Sequence, residues 1–201
     1  MTSVPPSIAA LPSRTAEFGA LVERWCNINS GSGHAAGLTR MRETLRADFA
    51  AAFPAAIIEE IATDAPGFNP PGTRALSIRQ RPTAPTQVIL CGHYDTVYEA
   101  DDAFQTCRWL DATTLNGPGT ADMKGGLVTM LAAMVAIVAA VATDVRWSLA
   151  FVIGRWIFVA ALLAAAPAAK HPYSVQDQVA LKRLLGFHVS ADRTRVVFTV
   201  R

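Results

Sequence analysis

The residues best suited to chemistry fall in two short stretches, VILCGHYDTV (88–97) and LNGPGTADMKGG (115–126). In the first, His93 and Asp95 close an apolar run, and side chains two apart on a strand point the same way. An imidazole is a nitrogen ligand for Zn²⁺ at about 2.0–2.1 Å. A carboxylate two residues on can orient that imidazole through its other ring nitrogen. In the second stretch, Asp122 stands between a Gly-Pro-Gly-Thr loop and a long apolar segment. Its two oxygens could bridge a pair of cations about 3.5–4 Å apart. Taken singly, both stretches also have plainer readings. His-x-Asp is equally a hydrogen-bonded structural pair or a solvated loop, and an Asp at a loop-to-helix junction is ordinarily a helix cap.

The elements that must position these groups follow from periodicity. Phe18, Leu21, Val22 and Trp25 recur at helical spacing within 14–27, and Leu38, Met41, Leu45 and Phe49 do so within 36–52, ended by Pro54. The Gly/Ser loop INSGSGHAAG separates them. AAIIEEI (55–61), ALSIRQR (75–81), TQVILCG (86–92) and WSLAFVI (147–153) read as strands. The third is apolar throughout, as a fully covered strand is. Gly125–Thr143 reads as an apolar helix, and polar loops run from about 98 to 120. Helices alternating with apolar strands predict an α/β fold, a mostly parallel sheet between helices. Ligands of such sheets bind beyond the carboxyl ends of the strands, which is where His93 and Asp95 fall.

Together, CGHYDTV and GPGTADMKGG resemble the co-catalytic zinc peptidase family that includes glutamate carboxypeptidase, aminoacylase, acetylornithine deacetylase and succinyl-diaminopimelate desuccinylase. INSGSGHAAGLTRM (28–41) is similar to that family's N-terminal loop and helix, and the resemblance covers about residues 14–153. It implies a partial zinc-peptidase catalytic domain with two zinc ions. His93 would bind one of them, Asp95 would support catalysis by orienting His93, and Asp122 would bridge both. It further implies a cis peptide bond after Asp122. The reaction implied is hydrolysis of an amide or peptide bond, with a small-molecule or peptide substrate bearing a free carboxylate as the partner.

The same resemblance calls for a Glu-Glu pair after the strand at 145–153, the first Glu being the general base. Counting on from Ile153 places that pair at Ile157 and Phe158, and no Glu follows Glu99. Glu59-Glu60 precedes the His-x-Asp, so it cannot be that element and reads as a solvated strand end. At 201 residues we expect no counterpart of the family's inserted dimerisation domain. The composition changes at the same place. Residues 1–153 carry 11 basic and 14 acidic side chains, net −3, whereas 154–201 carry 7 and 2, net +5. We therefore expect 1–153 to be the N-terminal part of the catalytic domain and 154–201 a divergent tail, as in a truncated or frame-shifted member with little or no turnover.

Other candidates carry less. Cys91 reads as a small buried hydrophobe, His34 as a loop residue, Lys124 as part of a first helical turn, and Asp101, Asp102 and Asp111 as loop charges. His171 and His188 lie in the tail. Leu127–Thr143 and Trp147–Ala169 are long enough for a membrane hairpin. Against that alternative, Arg155 near the middle of the second run costs about 2.5–3.5 kcal/mol on insertion, so we expect no membrane span. The other alternative is a non-catalytic binding remnant. With 51% hydrophobic and 17% charged residues among 201, disorder is excluded. A net charge of +2 is too small for nucleic-acid binding through phosphates. Three cysteines cannot close a disulfide set and the N-terminus lacks a secretory pattern, so the expected location is cytoplasmic.

Overall fold

The computed structural model describes residues 5–63, 72–81, 83–84, 86–140, 145–152, 187–189 and 195–199. Ile153, Arg155, Ile157, Phe158 and His171 lie outside these residues. A short helix α1 (Pro6–Ala9) and a 3₁₀ turn (Leu11–Arg14) lead into α2 (Thr15–Cys26) and α3 (Ala35–Ala52). Strands β1 (Ile57–Ala62), β2 (Arg74–Gln80) and β3 (Thr86–His93) follow. After them come a two-stranded ribbon of β4 (Arg108–Trp109) and β5 (Leu115–Asn116), then α4 (Lys124–Ala140), β6 (Val145–Val152), β7 (Phe187–Val189) and β8 (Arg195–Thr199). The loops expected over 98–120 thus contain the small ribbon.

The chain is α/β. Its main sheet has the order β1-β2-β6-β3-β8-β7. The centre is parallel: β3 runs alongside β6 on one side and β8 on the other. The edges are antiparallel, with β1 on β2, β2 on β6 and β7 on β8. Register places Leu76 beside Phe151 and Ile78 beside Leu149, and Leu90 and Gly92 beside Leu149 and Phe151. All of these share one face, because paired residues point the same way.

The amphipathic helices cover that face. Phe49 of α3 packs on Phe151 with ring centroids 5.0 Å apart, and Phe53 packs on Trp147 at 4.7 Å. The four residues that marked α3 in the sequence, Leu38, Met41, Leu45 and Phe49, are all buried, and Trp25 of α2 stacks on Phe49. Helix α4 is apolar on nearly every side, as a helix enclosed by other elements is. It buries Leu127, Val128, Met130, Leu131 and Met134. A Cβ on Gly92 would lie 2.6 Å from Leu127, so the glycine lets α4 approach β3 closely.

The alternative of a membrane hairpin loses the start of its second arm. Trp147–Val152, the start of its second arm, belongs to β6 and is hydrogen-bonded between β2 and β3. An extended backbone shared by two neighbours cannot be the first turns of a helix. Among the described residues, no helix is long and apolar enough to cross a membrane.

Candidate metal centre

His93 is the last residue of β3, at the carboxyl end of a central strand. Its neighbour Tyr94 turns into the core, fully buried, and donates its hydroxyl to Arg74 O at 2.6 Å. Asp95 is buried at 4% exposure. The His93 ring sits between two carboxylates, with Nδ1 3.0 Å from Asp95 Oδ1 and Nε2 3.1 Å from Asp122 Oδ1. The three residues singled out in the sequence therefore meet, although Asp122 is 29 positions from His93.

The loop before α4 brings Asp122 there. Gly119 has φ +84, a left-handed conformation in which a side chain is strained, and its carbonyl accepts from Lys124 N at 2.8 Å. The first backbone N–H groups of α4 thus turn to Gly119, and the Asp122 carboxylate is directed to the imidazole. The peptide bond between Asp122 and Met123 is cis, as the resemblance implies. Met123 Sδ lies 3.3 Å from His93 N, which closes the junction of strand and helix from below.

Electrostatics at the ring pull in opposite directions. Burial pulls the His93 pKa down, but the hydrogen bonds and charges of Asp95 and Asp122 outweigh it and leave it raised. With Nδ1–H donating to Asp95, Nε2 is the nitrogen presented to the cleft. The cleft has a volume of about 800 Å³, and Ser32, Tyr98, Glu99, Phe104 and Asn116 line it beside the triad.

The donor types of His93 and Asp122, one imidazole nitrogen and one carboxylate oxygen, are those that zinc takes. An imidazole nitrogen and a carboxylate oxygen 3.1 Å apart have the separation of adjacent ligands whose metal bonds are about 2.0–2.2 Å. Among the described residues, no group of three or more His, Cys, Asp or Glu side chains could hold a metal ion. The His93–Asp122 pair by itself would offer a cation one nitrogen and one oxygen donor.

Two participants were not legible in the sequence. Ser32, in the Gly/Ser loop, donates to Asp95 Oδ2 at 2.6 Å. Lys124, the first residue of α4, is fully buried, and its ammonium donates to Ile28 O at 2.6 Å and Trp25 O at 3.2 Å. Burial lowers its pKa to about 8. It joins the end of α2 to the site. A serine among glycines has the composition of any turn, and a lysine at a helix start looks exposed, so neither announced a contact more than 60 residues away.

The remaining candidates have local roles. His34 Nδ1 lies 2.8 Å from Asn29 Oδ1, and Cys91 is half-buried with a pKa raised by burial. Asp102 and Asp111 accept backbone N–H groups two residues on, as turn-forming aspartates do. His188 lies in β7.

No family model matches the chain, and no curated protein matches it. Solved structures do. The chain is similar to human carnosine dipeptidase 1, with a TM-score of 0.57 and 18% identity over 74% of this chain and 35% of that one. It is similar to a tripeptidase of Staphylococcus aureus, with a TM-score of 0.53 and 19% identity over 69% and 36%. A third is an M20 family metallo-carboxypeptidase of Sulfolobus solfataricus, with a TM-score of 0.52 and 14% identity over 68% and 30%. The likeness is one of fold alone: the chain shares its α/β arrangement with these proteins and spans about a third of their length.

Proposed function

We propose that this chain carries part of the site of a zinc-dependent hydrolase of amide or peptide bonds, of carboxypeptidase or deacylase type. The observation that supports this reading most directly is the approach of His93 Nε2 to Asp122 Oδ1 while Asp95 occupies Nδ1. His93 and Asp122 would hold the cation. When bound, such an ion polarises the scissile carbonyl and brings the pKa of water to about 7. Asp95 holds the ring in the tautomer that offers Nε2 and strengthens it as a ligand. The cleft admits a small substrate or the end of a peptide, which we take to bear a free carboxylate.

Turnover by this chain is small or absent in this reading, because Ile157 and Phe158 stand where the resemblance calls for the proton acceptor and a further ligand. Loss of a general base alone costs about 10²–10⁴-fold. A cytoplasmic location is part of the same proposal.

The test is zinc titration of the metal-stripped protein beside His93→Ala and Asp122→Ala. Saturable binding that both variants weaken by more than about 100-fold is expected, beyond what a residue supporting a ligand contributes. Equal binding by all three proteins would sink the reading. Zinc-dependent hydrolysis of N-acyl amino acids or dipeptides at rates ordinary for an enzyme would overturn the incomplete site.

A further inference from the structure

We infer that Ser32 is a positioning residue for the metal centre: its hydroxyl fixes the Asp95 carboxylate, which in turn fixes the His93 ring. The inference rests on the proposed function. Ser32 Oγ donates to Asp95 Oδ2 at 2.6 Å, while Oδ1 of the same carboxylate takes His93 Nδ1 at 3.0 Å. The first distance is in the range of charge-assisted O–H···O⁻ bonds. With a separate donor at each oxygen, the carboxylate cannot turn about its Cβ–Cγ bond without losing one of them.

Ser32 delivers that bond from a clamped loop. Ser32 N donates to Thr96 O at 3.0 Å, Thr96 N donates to Ser30 O at 2.9 Å, and Ser30 Oγ donates to Tyr94 O at 2.8 Å. The loop therefore runs as a single parallel rung beside the segment that carries Asp95, with Gly31 bridged to Thr96. One residue on, Gly33 N donates to the Glu99 carboxylate, at 2.9 Å to Oε1 and 3.2 Å to Oε2. Gly31 lies so close to this segment that a Cβ there would meet Tyr98 O at 2.5 Å. The hydroxyl, the carboxylate and the imidazole thus form a relay from the Gly/Ser loop to the nitrogen that faces the cleft.

Zinc affinity, measured by competition with a chromophoric chelator, and the visible spectrum of the Co²⁺-loaded protein test the relay in wild type, Ser32→Ala and Ser32→Thr. Ser32→Ala is expected to weaken zinc binding by about 10–100-fold, to change the cobalt spectrum and to keep the wild-type melting temperature. Ser32→Thr, which keeps the hydroxyl, is expected to restore both. Gly31→Ala, which displaces the loop with the serine intact, is expected to weaken zinc binding in the same way. Zinc binding that depends on His93 and Asp122 but is unchanged in Ser32→Ala, or a loss that Ser32→Thr does not restore, overturns this inference alone. A wild-type protein that binds no zinc, or binds it equally after His93→Ala, overturns the proposed function and the relay with it.

Discussion

Two pairs of acidic residues, one on an edge strand of the main sheet and one in the loops beyond the carboxyl end of β3, are met by opposite kinds of partner. At the antiparallel edge, Glu60 of β1 faces three guanidinium groups, Arg42 at 3.2 Å, Arg46 at 3.3 Å and Arg74 at 3.9 Å, and Glu59 pairs with Arg79 at 2.8 Å. At the carboxyl end of β3, Asp95 and Asp122 are met by the His93 imidazole and, for Asp95, by the Ser32 hydroxyl. Arginine is permanently charged and forks onto carboxylates, so the edge pair is neutralised for good. Imidazole gives up its proton near neutrality, so the charge balance at the cleft can be changed by a cation. The number of carboxylates does not separate a structural cluster from a candidate metal centre; the partner that balances them does. Glu59-Glu60, expected as a solvated strand end, is an ion-paired one.

The comparison breaks most visibly at Asp95. Asp95→Asn keeps an acceptor for His93 Nδ1–H but loses the charge, and zinc affinity is expected to fall by about 10–100-fold, read by isothermal titration. An unchanged affinity would mean that the carboxylate serves the fold only.

Arg42→Ala is the counterpart at the edge. Arg42 is 8% exposed, and its removal leaves Glu60 to Arg46 and Arg74. The loss in unfolding free energy is expected at roughly 1–3 kcal/mol, between a fully buried and an exposed pair. Urea unfolding measures it, and zinc affinity should not move.

The pH dependence distinguishes the two clusters further. Because the folded pKa of His93 is raised, its contribution to the stability of the metal-free protein is complete below the unfolded value of about 6.5 and is lost as pH rises through the folded pKa. Zinc, which needs the unprotonated nitrogen, should gain affinity over the same rise. Thermal melts from acid to neutral pH, with His93→Gln as the control that flattens the profile, check the first part. Titrations across that range check the second.

The smallest effect is expected from Glu59→Gln. Both members of the Glu59–Arg79 pair are more than a third exposed, and about 0–1 kcal/mol is at stake. A larger loss in urea unfolding would mean that the edge strand depends on that pair.

Much of the scaffold could be read from residue patterns. The apolar period of α2 and α3 was evident because burial repeats every 3.6 residues in a helix. The apolar run of β3 did mark a central strand, but it is not covered throughout, since Val88, Ile89 and Cys91 are only half-buried. Ser32 and Lys124 were invisible for the opposite reason. Their contacts are long-range, and nothing in their neighbours' types reports the far partner. The strand reading of the run after Trp147 held, and it needed the shortness of the run to decide it, because an apolar stretch by itself serves a buried strand and a helix equally well.

Residue types along the chain were enough to nominate an imidazole and two carboxylates, since chemistry follows from the groups themselves. Whether those groups meet depends on how β3 and α4 pack and how the glycine loop turns between them. That packing is cooperative and non-local, and it set a 3.1 Å approach between side chains 29 positions apart. The same packing seated a serine from the Gly/Ser loop on the buried carboxylate.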